Sequence, residues 1–246
     1  MIRQCLYSIY CRIKFIIAPQ LQYSQNIYED VLKQYANPRS AWLDLGCGHS
    51  LFSHWHIEEE EKIVNVPEIL VGFDYDLQSL KNHQTIQLKV KGDISHLPFK
   101  AGSFNLVTAN MVFEHLKLPE TQMLEINKSL KPDGVLIFHT PNVWGYSTIF
   151  ARLIPEKIKS SIIYFLQDRK EEDVFPTYYR INSIFRIERC AKSAGFIPEK
   201  LKLICTAPQF IVIPFLVIFE LLWIRLLMTQ SFRKLRTNII AILRKA

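Results

Sequence analysis

Two glycines one residue apart, Gly46 and Gly48, follow directly on the apolar stretch Ala41-Trp42-Leu43-Asp44-Leu45. Lacking a Cβ, such residues let a chain turn sharply at the end of a strand and lie close against a ligand. Carboxylates recur at comparable places further on. Asp74 ends the run Ile69-Leu70-Val71-Gly72-Phe73-Asp74, and Asp93 follows Gln87-Leu88-Lys89-Val90 within Lys91-Gly92-Asp93-Ile94. A carboxylate at the end of a second strand can accept hydrogen bonds from both hydroxyls of a ribose, and one at the end of a third can accept from a purine amine. Asn110 closes Phe104–Asn110 with another polar group, and Asp44, just before the glycine turn, can orient that turn or meet an ammonium group. Singly, a glycine turn is more often structural and a strand-end aspartate more often a helix cap. Four strand ends in succession, each suited to one part of a nucleoside-type ligand, are hard to attribute to chance.

The elements that must position these residues can be read from the same sequence. From Ala41 to about Asn142, short apolar runs alternate with helix-like segments, the pattern of repeated βαβ units. The runs at 41–45, 69–74, 87–90, 104–110 and 134–139 are apolar on both faces, as strands of a parallel sheet covered by helices must be. The fifth is entered through the turn Lys131-Pro132-Asp133-Gly134, after a helix ending near Leu130. A helix over about 182–193 stops at Gly195, Lys200–Ile204 reads as a sixth strand, and Asn238–Leu243 reads as a seventh. The expected fold is α/β: a doubly wound, mostly parallel seven-stranded sheet with apolar helical appendages. Residues 1–21 are expected to form an amphipathic helix, and 22–246 one domain with an apolar helical insertion at about 209–228.

Taken together, Asp44-Leu45-Gly46-Cys47-Gly48, Gly72-Phe73-Asp74, Gly92-Asp93-Ile94 followed by Leu97-Pro98-Phe99, Met111-Val112-Phe113-Glu114-His115-Leu116 and Leu130-Lys131-Pro132-Asp133-Gly134 resemble the successive motifs of class I S-adenosylmethionine-dependent methyltransferases. The resemblance covers about residues 23–205. Thr140-Pro141-Asn142 is similar to the small-molecule branch that includes quinone-biosynthesis enzymes. It implies the Rossmann-like fold of that family, S-adenosylmethionine as cofactor, and a cofactor set of Asp44, Gly46, Cys47, Gly48, Asp74, Tyr75, Asp93, Ile94 and Asn110. Two features depart from the pattern. Ser50 stands at the third glycine position, and 30 positions separate Asp44 from Asp74, against about 20 between glycine and acid in a compact βαβ unit. The surplus, Ile57-Glu58-Glu59-Glu60-Glu61-Lys62, reads as a solvated acidic insertion with no chemistry. A nicotinamide dehydrogenase would need a glycine where Leu51 stands, which removes that rival.

Methyl transfer is an in-line displacement on carbon already activated by a sulfonium, so alignment and exclusion of water supply much of the rate. A general base is needed only where the acceptor must lose a proton. His115, after the fourth strand, is the candidate, with a capping or cofactor-lining histidine as the alternative; Glu114 beside it is a second. Tyr178, Tyr179 and Arg180 fall between the fifth and sixth strands, where they could line an acceptor pocket with Arg180 facing an acidic group, or simply pack beneath a loop. Cys47, His49, His54 and His56 match no zinc spacing, so no metal is expected. No Asp-Pro-Pro-Tyr-like segment follows the fourth strand, which disfavours methylation of DNA bases.

The net charge of +7 is concentrated at the two ends. Arg3, Arg12 and Lys14 in residues 1–21, and Arg225, Arg233, Lys234, Arg236, Arg244 and Lys245 in 225–246, have no acid among them; the stretch between is left slightly acidic. A nucleic-acid enzyme would carry its cations around the cleft. Basic ends beside apolar runs point to an anionic membrane surface. Phe210–Met228 nears the length of a bilayer span but holds Pro214, Glu220 and Arg225, so an in-plane helix or hydrophobic lid fits better. Ile2, Leu6, Ile9, Tyr10, Ile13, Ile16 and Ile17 recur at helical spacing, the alternative being two ordinary helices packed on the domain or on each other. Five irregularly spaced cysteines suit a reducing compartment. The reading is therefore a cytoplasmic methyltransferase, peripherally membrane-associated, acting on a small-molecule or lipid-linked acceptor. A non-catalytic scaffold of the same fold and an RNA methyltransferase are the rival functions.

Overall fold

Periodicity and turn chemistry produce the expected elements in a computed structural model that describes residues 2–154, 175–211 and 213–246. Helices α1 (Ile2–Ile17), α2 (Ser24–Tyr35), α3 (Ile57–Ile63), α4 (Leu77–Asn82), α5 (Pro119–Ser129), α6 (Tyr146–Leu153), α7 (Ile184–Ser193) and α8 (Pro214–Leu227) accompany strands β1 (Ala41–Leu45), β2 (Ile69–Asp74), β3 (Leu88–Lys91), β4 (Phe104–Asn110), β5 (Leu130–Pro141), β6 (Phe196–Ile204) and β7 (Asn238–Lys245). The chain divides into two compact units.

The sheet unit comprises Gln25–Thr140, Thr177–Lys202 and Ile239–Ala246. Its strands run in the order β3-β2-β1-β4-β5-β7-β6. The pairs β3–β2, β2–β1, β1–β4 and β4–β5 are parallel. This is the doubly wound order with its reversal between β1 and β4, and β7 returns to the sheet between β5 and β6. Trp42, Leu43, Leu45, Phe73, Val107, Ala109, Leu136 and Phe138 are fully buried, as strands covered on both faces require. Trp42 donates its indole N–H to Thr108 Oγ1 at 2.7 Å, so burial of the ring leaves no polar atom unsatisfied.

Local boundaries differ from expectation in places with a physical cause. β5 starts at Leu130 instead of Gly134, because Leu130 pairs with Phe104 while Val135 pairs with Leu106. The expected turn is thus a bulge inside the strand, with Asp133 in the left-handed region at φ 59°. β6 begins at Phe196, immediately after Gly195 ends the α7 turn at φ 78°. α7 begins at Ile184, one residue after Ser183, whose side chain accepts from the Arg186 amide as N-cap.

The helical unit comprises Met1–Ser24, Pro141–Pro176 and Leu203–Asn238. Here α1 and α8 pack together: Tyr10, Ala18 and Leu21 share a core with Cys205, Val217, Leu221, Ile224 and Leu227. The Tyr10 and Tyr23 hydroxyls bond at 2.8 Å. Of the long apolar run, 14 residues form helix, opened by Pro214, which is tolerated in a first turn. Glu220 does not face outward. It is buried and accepts from the Tyr146 hydroxyl at 2.7 Å and from the Gln209 and Phe210 amides at 2.8 and 2.9 Å. The end of α8 is capped by Arg236, whose guanidinium donates to the carbonyls of Leu227, Met228 and Leu203. Asn142 has a comparable supporting role, its amide donating to the Lys234 and Arg236 carbonyls at 3.0 and 2.7 Å. Among the described residues no helix is long and apolar enough to cross a membrane.

Candidate functional site

Strand register decides which side chains meet. Leu45 pairs with both Phe73 and Ala109, so the next residues along, Gly46, Asp74 and Asn110, stand in one row at the carboxyl ends of β1, β2 and β4. Asp74 pairs in turn with Lys91, and Asn110 with His139, extending the row across five strands. The glycine turn is tied to the end of β2. The Gly46 and Cys47 amides donate to the Phe73 carbonyl at 2.7 and 3.2 Å, and the Gly48 amide donates to Asp74 Oδ2 at 2.8 Å. The other carboxylate oxygen of Asp74 accepts from the Asp76 amide at 2.8 Å. Each carboxylate oxygen has a second lone pair, so both retain capacity for hydroxyl donors.

Gly46 and Gly48 hold φ of 63° and 57°, conformations that a side chain disfavours. A Cβ on Gly46 would lie 2.4 Å from Val112 Cγ2, whereas one on Gly48 would meet nothing within 4 Å. Gly46 is therefore fixed by packing, and Gly48 faces open space in front of the turn. Cys47 is buried, with Sγ against the position a Gly72 Cβ would take, and burial pushes its thiol pKa up. It packs the turn and presents no thiolate.

Asp44 is buried and accepts from the Thr108 hydroxyl at 2.5 Å. Burial pushes its pKa up to about 7; the Thr108 bond opposes this, while Glu60 and Asp74 push the same way. The neighbouring carboxylates of Glu60 and Asp74, which oppose ionisation of Asp44, form with it a local field suited to a cation. Asp93 is exposed and held below its ordinary range chiefly by the Ser95 amide, which it accepts at 2.7 Å. Tyr75 is 71% exposed and Ile94 partly so, both bordering strand-end carboxylates.

The amide of Asn110 is already engaged, donating to Gln25 at 3.0 Å and meeting His139 Nδ1 at 2.9 Å. His139 is buried and stacked on Tyr28, and burial pushes its pKa down to about 3, so it stays neutral. Glu114 is buried, with Oε2 accepting from the Thr140 hydroxyl at 3.0 Å, and Asn182 donates to the same hydroxyl oxygen at 2.6 Å. Its carbonyl accepts from the Tyr178 and Tyr179 amides at 2.7 and 3.1 Å. These bonds bring the segment Tyr178–Arg180 against the loop after β4, where His115 closes a short 3-10 turn. Arg180 donates to the Lys117 carbonyl at 2.6 Å, and its guanidinium and the Lys117 ammonium lie 5.8 and 5.6 Å from the Tyr178 ring centre. The three candidates for acceptor contact are thus joined to the candidate base through one loop.

The acidic insertion is not wholly solvated, a correction to the sequence reading. Glu60 is buried, its carboxylate accepting from the Phe52 amide at 2.8 Å and from the Thr85 hydroxyl. Glu29 does the same from α2, accepting from the Ser53 amide at 2.9 Å and meeting His56 at 2.5 Å. Both hold the segment that leaves the glycine turn. A signal was present: Glu60 lies three residues from both Ile57 and Ile63, on the one apolar stripe of α3. Gln25 and Glu29 carried no signal, because nothing local to α2 shows which strand ends it covers. A separate shallow cleft, lined by Tyr35, Arg39, Asn105 and Arg244 among others, lies at the amino-terminal ends of β1 and β4 and shares no residue with the strand-end row.

Comparison with known proteins agrees with this geometry. Residues 43–138 match the family described as methyltransferase domain. Among curated proteins, the chain is 34% identical over 98 residues to the mitochondrial arginine-hydroxylase NDUFAF5 of Danio rerio, covering 39% of this chain and 29% of that one. It is 31% identical over 104 residues to the malonyl-[acyl-carrier protein] O-methyltransferase of Legionella pneumophila, covering 40% and 35%. The matches thus span a third or so of those relatives' length. Among solved structures, an S-adenosylmethionine-dependent methyltransferase from Mesorhizobium loti superposes with a TM-score of 0.54 at 13% identity, over 88% of this chain and 96% of that one, a likeness of fold.

Proposed function

We propose, for a chain that belongs through residues 43–138 to the class I S-adenosylmethionine-dependent methyltransferases, that it moves a methyl group to a small-molecule acceptor that is lipid-linked and met at a membrane surface. The observation that carries the transfer reaction is the row of strand ends at Gly46, Asp74 and Asn110, with the Gly48 amide locked to the Asp74 carboxylate. Bound there, S-adenosylmethionine would supply a methyl group on a cationic sulfonium, open to displacement by an acceptor lone pair. The residues present fit it. The open side of Gly48 admits a close ligand, and the carboxylates of Asp44 and Asp74 favour a positive charge.

Each residue then has a definite task. Asp74 accepts from the ribose hydroxyls with its remaining lone pairs, and Asp93 accepts from the adenine amine. Ionised Asp44 holds the turn and its field favours the ammonium and sulfonium charges. Asn110, fixed by Gln25 and His139, forms the wall at the methyl end. Tyr178, Tyr179 and Arg180 border the acceptor, and His115 takes the acceptor's proton where that acceptor is a hydroxyl. Support for a lipid-linked acceptor comes from the apolar surface and basic ends of the helical unit.

Calorimetric titration with S-adenosylmethionine, followed by incubation with cell extract and the methyl-labelled cofactor, tests the reading. Binding with label in the lipid fraction is expected. Absence of cofactor binding would make the chain a scaffold, and label confined to RNA would assign it the other substrate class.

A further inference from the structure

The outer surface of α8 is apolar except for Arg225 in its last turn. Val217, Glu220, Leu221, Ile224 and Leu227 turn inward, while Phe215, Ile218, Phe219, Leu222, Trp223 and Leu226 are exposed at intervals of three and four residues. Phe215 and Phe219 are each 63% exposed and pack edge to face on one another. A helix apolar on both faces, with only one of them buried by the protein, needs a second apolar environment. Its partner α1 repeats the pattern: while Tyr10 is buried, it exposes Ile9, Phe15 and Ile16, the last two by 77% and 76%.

Charge identifies that environment. Among the described residues of the helical unit Glu220 is the single acid, and it is buried with three donors. Arg12, Arg152, Arg225, Arg233 and Lys234 are exposed in the same unit. The accessible described surface of this unit therefore combines cations with aromatic and aliphatic groups and carries no carboxylate. A protein groove would match the apolar face but would not call for this uniform sign. Anionic phospholipid matches both, phosphates meeting the cations and acyl chains meeting the apolar groups. Dimensions agree, because 14 helical residues span only about 21 Å against about 30 Å of bilayer hydrocarbon, so α8 suits the plane of the interface and not a crossing.

We infer that the α1–α8 pair is a monotopic docking surface for membranes rich in anionic phospholipid, with the outer face of α8 inserted at the level of the upper acyl chains. This rests on the proposed membrane-surface acceptor for its purpose, but not for its test. Co-sedimentation of the full chain with phosphatidylcholine vesicles, with and without phosphatidylglycerol, should show binding that needs the anionic lipid and weakens as salt is raised. Phe215→Ser with Phe219→Ser, both on the exposed face, should lower partition at least tenfold. Arg12→Gln with Arg225→Gln should lower it about tenfold at low salt while leaving binding at high salt nearly unchanged. S-adenosylmethionine titration of the same samples reports separately on the methyl-transfer reading: vesicle binding without cofactor binding would support docking and sink methyl transfer. No binding to anionic vesicles at low salt overturns the inference. So does binding indifferent to both variant pairs, or a vesicle-independent dimer that the phenylalanine substitutions dissociate, which would assign the face to a second copy of the chain.

Discussion

The Gly48 amide donates to the Asp74 carboxylate at 2.8 Å, joining the turn after β1 to the last residue of β2 across 26 positions of sequence. That bond aligns the two groups that would face opposite parts of a nucleoside ligand, and it leaves Asp74 with lone pairs to spare. Asp74→Ala should therefore weaken S-adenosylmethionine binding about 10- to 100-fold, from lost charge-assisted hydrogen bonds of about 1.5–3 kcal/mol. Calorimetric titration measures it, and a variant with unchanged Kd would remove Asp74 from the cofactor site.

Protonation of Asp44 sets a pH dependence. Its folded-state pKa, raised to about 7 by burial, lies above its ordinary value near 4, so the folded protein holds this proton more tightly than the unfolded chain does. The stabilising contribution is complete below pH of about 4 and is lost as pH rises through about 7. Ligand-free protein should lose stability over that window, and Asp44→Asn should flatten the slope in urea melts. Affinity for a cationic cofactor should run the other way, rising between pH of about 6 and 8 as the carboxylate ionises. A Kd that does not change with pH in the wild type would refute this coupling.

Removal of Glu60 should reach the glycine turn indirectly. Glu60→Ala leaves the Phe52 amide buried without its acceptor, a loss of about 1–3 kcal/mol in stability. Amide exchange at residues 51–56 should accelerate and cofactor Kd should rise, with kcat at saturating cofactor little altered. An equal fall in kcat would place Glu60 in the chemistry itself.

Arg180 offers a test of acceptor contact. Its guanidinium donates to the Lys117 carbonyl and lies near the Tyr178 ring, on the surface. If it faces an acidic acceptor, Arg180→Ala should raise acceptor KM about tenfold and leave cofactor Kd unchanged, and Arg180→Lys should recover only part of the loss. Steady-state kinetics with the acceptor identified by label would show no change in KM if Arg180 only packs the loop.

Substitution at the two glycines should separate packing from cradle. Gly46→Ala places a methyl 2.4 Å from Val112 at a positive φ and should destabilise the fold by about 2 kcal/mol or more. Gly48→Ala meets no neighbour, so its cost to stability should be about 1 kcal/mol, while its methyl narrows the ligand space and weakens cofactor binding. Thermal melts and calorimetry together would contradict this if Gly48→Ala proved the more destabilising of the two.

The sequence by itself determined where the strands of the sheet unit lie along the chain and the identity of its strand-end polar groups. Both follow from local chemistry: apolar runs of strand length, glycine after β1, acids closing β2 and following β3. It also marked α1 and the run around α8 as apolar with basic neighbours. Tertiary structure alone decided what those polar groups touch. Asn110 reads locally as a strand-end amide, yet Gln25 and His139, 85 and 29 positions away, fix it. The spacing of Glu60 from Ile57 and Ile63 puts it on the apolar stripe of α3, but only the packing of that helix brings it to the Phe52 amide. Glu220, in the same way, reads as an interruption of an apolar run and becomes its buried anchor. Periodicity fixes which face of an element is apolar. The partner that a buried charge finds depends on contacts far apart in sequence, which no local pattern specifies.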